Sequence, residues 1–199
     1  MAGENAHRDA NFSPVQLGID GDGNIRMIKI DKITDALLSI PYEHHEIHEG
    51  DSFIVCDVQN IDTTTQKWLI TTPNTTKYAH IIFDIEATGE VDLKVLQGSD
   101  RAGVTALANI NRRRVGTPTS GTVLVHRTTS GGTTDGATTI EHKRVGATGV
   151  GSKTIAAGGS RGLNEYILKP NTKYVVLIET FANIYVSMCL DWYEHQDTN

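Results

Sequence analysis

The chain has 199 residues, a formal net charge of −6, 6% aromatic residues and two cysteines. That length suffices for one domain with an appendage and a sizeable core, and the acidic balance argues against nucleic acid or an anionic membrane as a partner. Short apolar runs rich in Thr, Val and Ile exclude helix-rich classes, and no run reaches the length of a membrane-spanning helix.

Residues 1–40 read as an N-terminal arm with a short β-hairpin, and residues 41–199 as a β-sandwich domain. The opening MAGENAHRDANF is polar and reads as lacking a signal peptide. The turn-rich Asp20-Gly21-Asp22-Gly23-Asn24 leads into IRMIKID and ALLSI, two expected short strands. So small a segment owns no core and is expected to order on the main domain or on a neighbouring subunit. Asp20, Asp22, Asn24 and Asp31 imitate a calcium loop, but Ile25 stands where the sharp turn needs Gly, so a plain β-turn is the better reading.

From Tyr42 onward the chain reads as successive strands. YEHHEIHE and SFIVCDV, separated by Gly50-Asp51, read as one hairpin; KYAHIIFDIEA and VDLKVLQ, separated by Thr88-Gly89-Glu90, read as another. TVLVHRTT and ATTIEHKRV, joined by SGGTTDG, read as a third. Residues 146–162 read as a long Gly-rich surface loop. Pro73-Asn74-Thr75-Thr76-Lys77-Tyr78 and Pro170-Asn171-Thr172-Lys173-Tyr174 each place a turn-forming Pro-Asn pair ahead of an apolar strand, marking two corresponding strand entries. In the last strand Ile184, Val186, Met188, Leu190 and Trp192 alternate with Tyr185, Ser187, Cys189, Asp191 and Tyr193, so one face is core-directed. Eight to ten such strands point to an all-β, antiparallel two-sheet sandwich with the jelly roll as leading topology. An immunoglobulin-like sandwich ranks second, because its Cys-Trp-Cys arrangement is missing.

Cys56 and Cys189 sit in apolar alternating runs and suit small buried side chains better than a disulfide framework; a single bridge requires their strands to be adjacent. Arg112-Arg113-Arg114 reads as a solvated turn or a subunit contact, since no aromatic side chains are interleaved with it.

His44, His45 and His48 among Glu43, Glu46 and Glu49 form the densest set of metal-ligating residue types, yet the spacing of a metalloprotease helix is absent. On a strand, His44, Glu46 and His48 share one face. A metal held by His44 and His48 is the sharp reading and a polar strand face the favoured one. Gly151-Ser152-Lys153-Thr154 lacks the spacing of a phosphate loop, and no nucleophile elbow occurs, so no catalytic residue and no cofactor is assigned. Trp68, Trp192, Tyr42 and Tyr193 offer a sugar platform in principle, but their alternation with aliphatic residues fits core packing better. Glycan binding stays the main rival function.

Two groups of residues carry a resemblance. ENAHRDANFSPVQLGIDGDGNIRMIKID is similar to the leader of tailed-bacteriophage structural proteins, an RDAN-x-x-P segment followed by a Gly-Asp-Gly turn. The blocks YEHHEIHEGDSFIV, ITTPNTTKYAHIIFDIEA, GSDRAG, HRTTSGGTTDG, LKPNTKYVVLIET and LDWYEH resemble, in number and order, those of phage virion structural proteins. The resemblance implies a non-enzymatic head decoration or auxiliary capsid protein. It would be made in the host cytoplasm and assembled onto the virion as a homotrimer, with the major capsid protein or another virion protein as partner. It places attachment on Arg8, Asp9, Asn11, Phe12 and Pro14, with Phe12 as apolar anchor. The leader carries Phe12-Ser13 where the family pattern has Arg-Val, which leaves the attachment partner open.

Overall fold

Alternating β-branched and polar residues set the strands of this chain, and Pro, Gly and Asn set the corners between them. A computed structural model describes residues 17–19, 25–27, 42–117, 119–145 and 165–196. Its Cα positions divide the chain into Met1–Tyr42 and Glu43–Asn199. In the first unit β1 (Leu17–Ile19) pairs antiparallel with β2 (Ile25–Met27), Leu17 opposite Met27 and Ile19 opposite Ile25. The expected ALLSI strand and the Asp31 position lie outside the described residues.

α1 (Tyr42–Glu49), all but its first residue in the second unit, is followed by β3 (Ser52–Asp62), β4 (Thr65–Thr71), β5 (Lys77–Ala87), β6 (Val91–Gln97), β7 (Ala102–Leu107) and β8 (Ile110–Asn111). Then come β9 (Leu124–Ser130), β10 (Thr138–Val145), β11 (Tyr166–Leu168), β12 (Lys173–Thr180) and β13 (Asn183–Gln196). The strands form a six-stranded sheet, β10-β6-β12-β4-β9-β7, and a five-stranded sheet, β11-β5-β13-β3-β8, every pair antiparallel. The all-β, two-sheet antiparallel sandwich is therefore as expected, with eleven strands where eight to ten were read. One core takes Trp68, Ile70, Val95, Val176 and Ile178 from the first sheet and Phe53, Ile81, Met188, Leu190 and Trp192 from the second. Full burial of side chains such as Leu190, Met188 and Ile178 stabilises the fold by about 1.5–3 kcal/mol each.

Three expected hairpins are corrected by the pairing. YEHHEIHE is a helix, not a strand: it has almost no apolar alternation, and Gly50, at φ 89°, terminates it where a left-handed residue is needed. The amides of Gly50 and Asp51 both donate to the Glu46 carbonyl, at 3.1 and 3.0 Å. β5 and β6 follow one another across Thr88-Gly89-Glu90 but belong to opposite sheets. β9 and β10 flank β4, β12 and β6, so SGGTTDG is a strap across a sheet and not a hairpin turn. A two-residue period specifies which face a side chain takes, not which strand it pairs with.

The two Pro-Asn turns are sheet-switching corners running in opposite directions, β4 to β5 and β11 to β12, and they are bonded to each other. The Thr72 amide donates to the Thr172 carbonyl at 3.0 Å and the Asn171 amide to the Pro73 carbonyl at 2.9 Å. Thr72 Oγ1 accepts the Thr172 amide at 2.9 Å and donates to the Lys169 carbonyl at 2.7 Å. Buried Tyr174 closes its corner by accepting the Lys169 amide on its hydroxyl at 2.9 Å.

Cys56 and Cys189 form a disulfide between directly opposed positions of β3 and β13. This corrects the buried-thiol reading. Val55 and Asp57 point inward on β3, as do Met188 and Leu190 on β13, so both cysteines fall on the outer face, where Cys56 is exposed.

Candidate functional site

On α1 the four-residue spacing of His44 and His48 places both on one helix face. Their Nε2 atoms are 3.1 Å apart, their rings meet edge to face at 4.7 Å, and both side chains are exposed. The shared strand face of His44, Glu46 and His48 is thus replaced by a helix on which Glu46 turns inward. Its Oε1 lies 3.7 Å from His45 Nδ1 and 3.9 Å from His195 Nδ1. Among the described residues no group of three His, Cys, Asp or Glu side chains is poised to hold a metal.

A second arrangement lies on the outer side of the six-stranded sheet. β9 pairs with β4 as far as Trp68 opposite Arg127, and then the next residue, Thr128, takes a left-handed φ of 62°. That is a costly conformation for a β-branched side chain, and it turns β9 away from β4. The parting leaves an open polar depression of about 270 Å³ lined by Thr65, Gln66, Lys67, Arg101, Thr128 and Thr129.

The strap follows at once. Asp135 on it accepts from Lys67 Nζ at 2.7 Å and Arg101 Nε at 2.9 Å. Arg101 Nη1 also donates to the carbonyls of Gly131, at 2.7 Å, and Gly132, at 3.2 Å. Asp100 accepts the amides of Thr133 and Thr134, each within 2.9 Å, and the Thr133 hydroxyl at 3.0 Å. Those two amides, more than any other cause, lower its carboxyl to about 2. Burial pushes the Asp135 carboxyl up, but hydrogen bonds and charge from Lys67 and Arg101 prevail and hold it below its ordinary value. A small second apolar cluster, Leu69, Leu96 and Val175, lies on the outer face of the same sheet, and the end of the strap meets it at Leu96. A β-carbon on Gly136 would stand 2.6 Å from that of Leu96.

Two further carboxylates join separate elements inside. Asp57, from the five-stranded sheet, accepts the Trp68 indole N–H and the Arg127 Nε–H, each at 2.8 Å, and also Arg127 Nη2; both partners belong to the other sheet. Burial raises the Asp57 carboxyl, but the bonds from Arg127, Trp68 and Gln59 with the Arg127 charge outweigh it, so the group is held below its ordinary value. Glu194 accepts the amides of Thr122 and Val123, at 2.7 and 3.2 Å, and Trp192 Nε1–H at 3.2 Å, fastening the segment that leads into β9.

Of the expected attachment residues, Arg8, Asp9, Asn11, Phe12 and Pro14 all lie outside the described residues, as do Gly151-Ser152-Lys153-Thr154 and the 146–162 loop. Trp68 and Trp192 are buried in the core, and Tyr193 is buried against His80 with ring centroids 4.6 Å apart, so none of the three presents a free aromatic face. Arg112 pairs with Asp191. No helix among the described residues is long and apolar enough to cross a membrane. Reading the sequence missed Asp100, Asp135 and Thr128 as structural agents. The signal available was Asp within Gly-Ser-Asp and Thr-Thr-Asp-Gly, residues that bond neighbouring amides in turns. The chain matches no family model, no curated protein and no solved structure.

Proposed function

We propose that the chain is a non-enzymatic structural protein of a tailed-phage particle, a jelly roll that decorates or cements the capsid as a homotrimer and attaches through its N-terminal arm. One observation carries this reading: the six sequence blocks that resemble virion proteins meet in space as three pairs, and each pair does scaffold work. ITTPNTTKY bonds to LKPNTKY at the sheet-switching corners. GSDRAG clamps HRTTSGGTTDG through Asp100 and Arg101. YEHHEIHEGDSFIV meets LDWYEH where the Glu194 amide donates to the Asp51 carbonyl at 2.9 Å and Phe53 pairs with Trp192. Blocks resembling those of a family whose work is architecture are used here as architecture.

The topology supports the same reading. β11-β5-β13-β3 in one sheet against β10-β6-β12-β4 in the other is an order that two interlocked Greek keys produce, with β7 to β9 as an excursion between β6 and β10. Jelly rolls serve both capsids and lectins, so fold alone does not choose between them. The open polar depression beside the strap favours the second reading, a host-glycan-binding module on a fibre.

Deleting residues 1–18 tests the first reading. Loss of particle occupancy with intact isolated trimers supports arm attachment, and normal occupancy without the arm overturns it. Glycan-array binding abolished by Arg101→Ala would promote the second.

A further inference from the structure

We propose that His44 and His48 form a two-histidine binding site for a borderline divalent cation, Zn²⁺ above all, on the exposed face of α1. Two imidazole nitrogens bound to one tetrahedral Zn²⁺ at about 2.0–2.1 Å lie about 3.3 Å from one another. The two Nε2 atoms already stand 3.1 Å apart, so a few tenths of an ångström of ring movement closes the chelate. At that separation one ring donates a proton that the other accepts. Metal binding replaces this shared proton: the donor ring moves its N–H to Nδ1, and both Nε2 lone pairs turn to the ion with no net proton released from two neutral rings.

The surroundings suit a cation. α1 carries three glutamates among its eight residues, YEHHEIHE, in a chain of net charge −6. His45 is turned elsewhere on the helix, with Nε2 3.8 Å from Glu49 and Nδ1 3.7 Å from Glu46. Because no third ligand completes a cluster among the described residues, water fills the remaining positions. That chemistry excludes Ca²⁺ and Mg²⁺, which require oxygen ligands, and admits Cu²⁺ and Ni²⁺ beside Zn²⁺. The bound ion would cross-link two successive turns of a helix too short to be stable alone.

Titration calorimetry of the full chain with zinc chloride in a non-chelating buffer tests the site, with His44→Gln, His48→Gln and His45→Gln as variants that keep helix-compatible side chains. The expected result is about one saturable Zn²⁺ per chain, weakened about tenfold or more by losing either His44 or His48 and unchanged by losing His45. Zinc should also raise the melting temperature of the wild type and of His45→Gln alone. Absence of saturable binding, or binding that survives both the His44 and His48 changes, overturns the proposal.

Discussion

The seam between the sheets and the strap across the outer face are both held by a carboxylate below its ordinary value, yet the two carboxylates live in opposite settings. Asp57 is enclosed, with its Arg127 partner about one-third exposed, and it joins strands of opposite sheets. Asp100 lies in solvent and joins a turn to backbone amides thirty-odd residues on. A shift in the same direction therefore carries different consequences. Removing the first strands a buried indole N–H and leaves the partly exposed Arg127 guanidinium without its carboxylate, whereas removing the second releases a loop whose amides water can take over.

Breaking the seam should have the largest effect. Asp57→Ala is expected to destabilise the chain by about 3 kcal/mol, the low end for a broken buried pair because Arg127 can rehydrate in part. Urea unfolding measures it, and a loss below about 1 kcal/mol would show that the seam is no stronger than a surface pair.

Acid should sharpen the comparison next. Both folded-state values lie below the unfolded one, so each group contributes stability above its unfolded value, near 3.8, that is lost as pH falls through the folded value. For Asp100 that window runs from about 4 down to about 2. Urea unfolding at descending pH should show stability falling across this window, with a shallower fall in Asp57→Ala. In Asp100→Ala, which removes the acceptor, the Thr133 and Thr134 amides should lose their protection relative to intrinsic exchange at every pH. An acid slope unchanged by either substitution would assign the fall to other groups.

The smallest expected effect lies at Gly132, which holds φ at 66° and where a β-carbon would overlap the Asp100 carboxylate. Gly132→Ala should cost about 1 kcal/mol and raise hydrogen exchange across residues 130–136 while leaving the seam protected. Loss of protection at Trp68 or Arg127 in that variant would mean that strap and seam are one cooperative unit.

Much of this arrangement was legible residue by residue. The alternation Val186, Met188, Leu190, Trp192 identified the buried face of the final strand, but Cys189, read as a buried thiol, takes the other parity and lies in the disulfide on the outer face. The corners at Pro73 and Pro170 were legible because Pro and Asn act through their own backbone. The YEHHEIHE helix was not, since eight residues with scarcely any apolar period carry neither a strand nor a helix signal, and the Gly50 stop became decisive only beside the packed Glu46. The strap was missed for another reason: SGGTTDG has hairpin composition, and nothing local to it indicates that three strands separate its two ends.

By itself, the sequence determined the all-β class, the core-directed face of the last strand and the two Pro-Asn corners, because those depend on dihedral preferences and a period of two within a few residues. Only the tertiary structure decided which sheet each strand joins, that the two Pro-Asn-Thr corners bond to each other, and that Asp100 meets Thr133 and Asp57 meets Arg127. Those outcomes depend on closing contacts between residues about 30 to 100 positions apart, where a long loop adds only slowly to the entropic cost and leaves many partners open until packing selects one.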